Sequence, residues 1–355
     1  MKKLSKETSY NLKIGFGSLI SNQSCIEAGK SLPWWIAIIL GLVATFIPVI
    51  PVMTNIAKTN GENFISSTYN YSFDTNGAMA ALKMKNDGIE FIVDDDHYLS
   101  YYVNDEKQNP TEPVLLSENV NAITDQYDYL AYWLVDTADK TVTDHYNEII
   151  AKQYVIGTTN IKTDADAEGT KYYIPTIFFF YKEGNSCYLA KNNDTTAANK
   201  FTGDYINIKS GTHLIERLLT VDGMEIPAEI NDMSGTYIAG VYNNYKVFYN
   251  ESYLDIKSKS LIYSTFIYWS IYIGLTLFLG LLIFLLTRGK RNFNNYLKWY
   301  QCLCISGWAS FTPGLLAMIL GFIMVNYAIM FFILLMGVRI MWLSMKQLSP
   351  TYQGQ

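Results

Sequence analysis

A few clusters in this 355-residue chain have residue types and spacings suited to chemistry. Asp164, Asp166 and Glu168, followed by Gly169, open like an oxygen-ligand calcium loop. Alternate carboxylates point one way there, and glycine permits the sharp turn. Such a loop needs a bidentate acid at its twelfth position, where Pro175 stands. The stretch is therefore read as an acidic surface loop, and no metal ligand is assigned. His97, His145 and His213 are scattered, without a second histidine or cysteine at zinc-binding spacing. Cys302 and Cys304 stand too close together for the usual zinc arrangement, so packing is the simpler role. Phosphate-binding loops, dinucleotide fingerprints and nucleophile elbows do not occur in the sequence. No catalytic, cofactor-binding or metal residue is nominated, and a non-enzymatic protein without cofactor is expected.

Two further features lie in apolar surroundings. Thr312-Pro313-Gly314 interrupts a hydrophobic stretch. Proline removes a backbone hydrogen bond and glycine allows close helix approach, so a kink or a tight packing point is expected. Arg339 sits near the end of another such stretch, where its charge can snorkel to a membrane surface. A functional intramembrane charge is the sharper alternative. Tyr98, Tyr101, Tyr102, Tyr127, Tyr129, Tyr132 and Trp133 cluster in sequence. Exposed rings can stack on sugars or partners, but strand composition explains the cluster more simply.

The elements that carry these residues follow from hydropathy and charge. The mean hydropathy of +0.07 hides a strong segregation. Residues 54–260 carry a net charge of −14, whereas residues 261–355 carry +6 and contain no Asp or Glu. Charge inside hydrocarbon is costly, and Lys and Arg concentrate on the cytoplasmic side of membrane helices. An acidic middle without a basic stripe argues against nucleic-acid binding.

The reading is therefore a membrane α-helical protein with four spans plus an extracytoplasmic α+β domain. Residues 1–33 form a basic cytoplasmic leader and 34–53 the first span. Residues 54–260 form the outer domain, 261–287 the second span and 288–300 a basic cytoplasmic loop. Residues 301–323 and 328–345 are the third and fourth spans, and 346–355 a cytoplasmic tail. Each apolar stretch approaches the roughly 20 residues that a bilayer core requires. Trp34 and Trp35 mark an interface, and Pro48 and Pro51 are expected to bend the first span or mark its exit. The fourth span turns near Asn326, and both termini are cytoplasmic in this reading. In the leader, Leu12, Phe16, Leu19 and Ile20 recur at helical spacing, suited to an amphipathic helix on the inner surface, with an unstructured tail as the alternative.

Within the outer domain, β-rich runs at 89–93, 98–103, 129–135, 172–181 and 237–242 read as strands. Asp94–Asp96 suit a hairpin turn. Residues 77–84, 143–151 and 213–220 read as helices. Of the four cysteines only Cys187 falls here, so this domain has no disulfide framework and relies on its core.

Residues 89–99, Leu130-Ala-Tyr-Trp-Leu-Val-Asp-Thr137, 149–158 and Ser310-Phe-Thr-Pro313 together resemble the DUF1189 family of Gram-positive membrane proteins. Some of its members are labelled maltodextrin utilization proteins, and its membrane part is similar to Yip1-type helices. The resemblance covers most of the chain. It implies an accessory role in the cell envelope, near carbohydrate uptake, with membrane lipid and a transporter complex or envelope protein as partners. The span arrangement also resembles MacB/FtsX-type permeases, for which a cytoplasmic ATPase would be the partner. A receptor or scaffold that binds glycan or protein through the outer domain is the third reading.

Overall fold

The structure, a computed structural model, describes residues 6–66, 73–123, 126–153, 155–156, 162–163, 172–191, 194–289 and 292–348. The helices are α1 (Lys6–Gly17), α2 (Asn22–Ser31), α3 (Trp34–Phe46), α4 (Ile50–Lys58), α5 (Glu62–Ser66), α6 (Phe73–Asn86), α7 (Val142–Gln153), α8 (Leu214–Leu219), α9 (Gly235–Thr287), α10 (Trp299–Ile323) and α11 (Ala328–Lys346). The strands are β1 (Ile89–Val93), β2 (Leu99–Val103), β3 (Glu106–Gln108), β4 (Val114–Ile123), β5 (Gln126–Leu134), β6 (Val155–Ile156), β7 (Lys162–Thr163), β8 (Tyr172–Tyr181), β9 (Gly184–Lys191) and β10 (Asp194–Asp204). Two compact units result: Met1–Lys58 with Ser260–Gln355, and Thr59–Lys259. The second is called the sheet unit below and the first the helical unit.

The sheet unit is mixed α and β. Strands β1, β2 and β3 form an antiparallel meander. Its first turn is the expected one, with Asp94 Oδ1 accepting from the N–H groups of Asp96 and Tyr98 at 3.1 and 2.8 Å. The larger sheet runs β10-β9-β8-β5-β4, and its central pair β5–β8 is parallel, with α7 as the intervening helix. A Thr141–Asp144 capping box starts α7: Asp144 Oδ2 accepts from Thr141 N–H and Thr141 Oγ1 donates to it at 2.7 Å. Those bonds hold the Asp144 carboxyl below the usual carboxylate range.

Both faces of the central strands are buried, which explains the run Ile177-Phe178-Phe179-Phe180. Tyr132, Leu134, Phe178 and Phe180 face a core shared with α6, α8 and Tyr237–Tyr249 of α9. Ala131, Trp133, Ile177 and Phe179 face a second core with Val142 and Ile149 of α7. The segment 237–242, expected as a strand, is instead the start of α9. Tyr237, Val241, Tyr245 and Phe248 are buried at spacings of three and four, so a helical stripe overrides the β-favouring residue types.

The helical unit contains the apolar segments. Among the described residues, four helical stretches are long and apolar enough to cross a membrane: Trp34–Lys58, Gly235–Thr287, Trp299–Ile323 and Val325–Lys346. Pro48 and Pro51 do not end the first of these. The helix passes through a 3₁₀ turn at Ile47–Val49 and continues to Lys58. Asn326 lies in the 3₁₀ turn Val325–Tyr327 between α10 and α11, as expected.

Helix α10 is central, and α2, α3 and α11 pack on it. Its seam with α3 is made of small residues seven apart. A Cβ on Gly307 would lie 2.8 Å from Ala37 O, one on Gly314 would collide with Ala44 O, and one on Gly321 would lie 2.9 Å from Pro51 Cγ. Ala37 and Ala44 of α3 and Pro51 of α4 thus track Gly307, Gly314 and Gly321, so the first apolar stretch runs parallel to α10. A seven-residue repeat is the left-handed crossing pattern. The leader forms the α1–α2 hairpin, with Ile14, Ser18, Cys25, Ile26, Ala28 and Gly29 buried in the unit. Of the expected apolar stripe, Leu12, Phe16 and Ile20 are exposed and Leu19 is half-buried.

Candidate functional site at Arg339

The most elaborate polar arrangement in the helical unit surrounds Arg339. Proline at 313 has no N–H to donate to the carbonyl four residues earlier, so Ala309 O loses its helical partner. Helix α11 returns antiparallel to α10 and places Arg339 opposite that gap. Arg339 Nη1 donates to Ala309 O at 2.9 Å.

The same guanidinium closes the end of α1. The last carbonyls of a helix have no intrahelical donor. Arg339 Nη2 donates to Ser18 O at 2.5 Å, and Cys25 Sγ donates to that oxygen at 3.1 Å. Thr312 Oγ1, beside Pro313, donates to Leu19 O. Arg339 Nε donates to Asn22 Oδ1 at 3.2 Å, at the start of α2. Arg339 thus ties α1, α2, α10 and α11 together. Among the described residues no carboxylate pairs with it. Its counter-charge is the partial negative charge on helix-end carbonyls, where a cation is favoured. A lysine could not reproduce this fork, because its ammonium is a single point charge.

A cavity of about 490 Å³ opens beside this cluster, lined by Leu19, Asn22, Thr312, Leu335, Arg339 and Trp342 among others. Three residues singled out in the sequence, Thr312, Pro313 and Arg339, are therefore brought together. Arg339 does not snorkel away from the unit; its donors are spent inside it, on the Ala309 and Ser18 carbonyls, Asn22 Oδ1 and Cys25 Sγ. Ser18, Asn22 and Cys25 escaped sequence reasoning. Their only signal is indirect: a proline frees a carbonyl, and a cation in another apolar segment can take it.

The other candidates do not converge. Asp164, Asp166 and Glu168 lie outside the described residues. His97 sits in a turn at φ 61°, His145 Nε2 lies 2.6 Å from Asp136 O, and His213 precedes α8. No cluster of three or more His, Cys, Asp or Glu suited to a metal ion occurs among the described residues. Cys302 and Cys304 are buried and free, as packing residues would be. Tyr101, Tyr132 and Trp133 are buried as well, so among the described rings of the tyrosine cluster only Tyr98 is strongly exposed. No family model, curated protein or solved structure matches the chain.

Proposed function

We propose that this chain is an integral membrane protein of the bacterial envelope, of DUF1189 type, acting as a non-enzymatic accessory near carbohydrate uptake. In this reading the four apolar stretches span the bilayer. Residues 54–260 lie outside, both termini are cytoplasmic, and the Arg339 cluster locks the leader into the span bundle.

The observation that supports the orientation is the gathering of basic residues at one end of the helical unit. Lys30 Nζ donates to Tyr296 Oη at 2.6 Å. Arg288 donates to Asn295 O and Leu297 O at 3.1 and 2.6 Å. Asn292 Nδ2 donates to Leu348 O at 2.8 Å, which brings the end of α11 and Lys346 to the same place. Lys298 precedes α10 at that end. Basic residues collected on one side are the mark of the cytoplasmic face. The Arg339 arrangement supports burial in hydrocarbon, because the Ala309, Ser18 and Leu19 carbonyls there each have a side-chain donor, as the bilayer core demands.

The test is affinity purification of the detergent-solubilised full chain from its native membrane, with partners identified by mass spectrometry. Co-recovery of a sugar-transport complex is the expected result. A stoichiometric ATPase would overturn the accessory reading in favour of a permease subunit. Recovery of the chain in the soluble fraction would overturn the membrane reading itself.

A further inference from the structure

A second cavity in the helical unit, of about 570 Å³, runs between α3, α9 and α10. Ala37, Gly41, Ile273, Leu277, Leu303 and Gly307 form much of its wall. Its two threonine hydroxyls are already spent: Thr45 Oγ1 donates to Gly41 O at 2.9 Å and Thr276 Oγ1 to Tyr272 O at 2.9 Å. Away from the Trp34, Trp299 and Tyr300 end the groove therefore offers an occupant mainly apolar contact. Along α3 it extends from Trp34 to Thr45. At the helical rise that is about 17 Å, close to the depth of one leaflet.

One end of the groove is different. Trp299 and Tyr300 line both the groove and an adjoining hollow of about 440 Å³ that holds Phe284, Arg288 and Lys298. The Arg288 guanidinium lies 4.1 Å from the Phe284 ring centre. Lys298 Nζ lies 5.9 Å from the Tyr300 ring centre. Residues 261–355 contain no Asp or Glu, so no acid from this part of the chain neutralises the mouth. An apolar slot one leaflet deep, opening between indole and phenol rings onto two cations, matches the chemistry of a phospholipid. The acyl chain takes the slot, the rings stand at headgroup level, and an anionic headgroup meets the cations.

We infer that the α3–α9–α10 groove is a binding site for one anionic phospholipid, with Lys298 and Arg288 at its headgroup. This rests on the membrane reading above, which places the mouth at the cytoplasmic leaflet, where anionic lipids are concentrated. Neutral lipid can fill the slot but gains nothing at the mouth. A free phosphate finds the cations but not the slot.

The test uses the full chain in vesicles of equal phosphatidylglycerol and phosphatidylcholine, released into detergent for native mass spectrometry. One retained phosphatidylglycerol per chain is expected, in clear excess over phosphatidylcholine. Lys298→Gln should lower that preference about fivefold, the effect of one cation near a membrane surface. Lys298 is chosen because Arg288 also braces the loop before α10. Ile38→Trp, which narrows the slot from a half-exposed position, should lower retention of both lipids while the protein stays folded. Equal retention of the two lipids by the unaltered chain would overturn the inference, as would an excess that neither substitution changes. Failure of the chain to enter vesicles would instead overturn the membrane reading on which it rests.

Discussion

The interior of the sheet unit is built from rings, whereas the α3–α10 seam is built from almost no side chain at all. Tyr132 stacks on Phe178 at 4.9 Å between ring centres, and Phe201 meets Tyr249 edge to face at 5.2 Å. At the seam, Gly41 and Gly307 approach so closely that a Cβ on the first would lie 3.4 Å from the Cα of the second. Under the proposed membrane reading, the difference follows from the solvent each surface leaves. Removing rings from water gains hydrophobic free energy in proportion to area. Leaving lipid for a neighbouring helix gains nothing of that kind, so close backbone contact and satisfied carbonyls must supply the association. The same contrast governs the polar groups. Tyr237 Oη donates to Leu219 O at 2.7 Å at the edge of an aromatic core, while Arg339 serves carbonyls that proline and a helix end left open.

Substitutions can break this contrast from either side. The largest effect is expected in the ring-built core. Phe178→Ala leaves a void against Tyr132 and Tyr249 and should cost about 3–5 kcal/mol. Hydrogen exchange of β5 and β8 peptides in the full chain should show the loss, with α10 protection unchanged. A β8 that exchanges no faster would refute the ring-core account. Next comes Gly314→Leu, which forces α3 and α10 apart at a backbone carbonyl and should cost about 3 kcal/mol. Its readout is the aggregation temperature of the detergent-solubilised protein. Gly274→Leu, where an added Cβ meets nothing within 4 Å, is the matched control.

Arg339→Leu strands the Ala309 carbonyl, leaves Ser18 O with only the weak Cys25 thiol donor, and should cost about 2 kcal/mol. Arg339→Lys should recover only part of that, since it keeps the charge without the fork. Pro313→Ala returns a helical donor to Ala309 O. The double variant should therefore be about 1 kcal/mol less destabilised than the two single losses added together. Strict additivity would mean that proline and arginine are unrelated.

The smallest effect is a pH dependence in the sheet unit. Burial, with the neighbouring Asp255 carboxyl, raises Asp204 to about 6, against the lowering influence of Ile206 N–H and Lys259. A carboxyl raised on folding binds its proton more tightly in the native state. Its contribution therefore favours the fold at low pH and is lost as pH rises from about 4 to 6. Asp204→Asn should flatten stability over that window, and an unchanged slope in chemical denaturation of the full chain would count against the pairing.

Long apolar stretches and clean β-runs were legible without a structure. Strands β1 and β8 fall where their Val, Ile, Phe and Tyr content puts them, and α10 and α11 meet at the expected turn. Strands β9 and β10 were missed because Asn185, Ser186, Thr195 and Asn199 are poor strand signals that pairing overrides. The segment 237–242 reads as a strand by composition, but its buried residues recur at helical spacing. The leader is helical, as its spacing suggests, but its packed face, where Ser18, Cys25, Ala28 and Gly29 join Ile14 and Ile26, is one that hydropathy barely registers. Half of the Arg339 site was visible as Pro313 and Arg339. The rest is the Asn22 and Cys25 side chains, which carry no signal at that distance in sequence, and backbone oxygens, which have no residue type and so leave no mark in a sequence.

Cys187 lies in β9, 2% exposed, and it is free. Burial pushes its thiol well above the ordinary range, so scarcely any thiolate exists to attack a disulfide. If residues 54–260 do fold outside the cell, they mature there without help from oxidising enzymes. The one sulfur that could be trapped in a mixed disulfide during export becomes chemically silent once the sheet closes over it. Its reaction with a small thiol reagent therefore times the opening of that sheet.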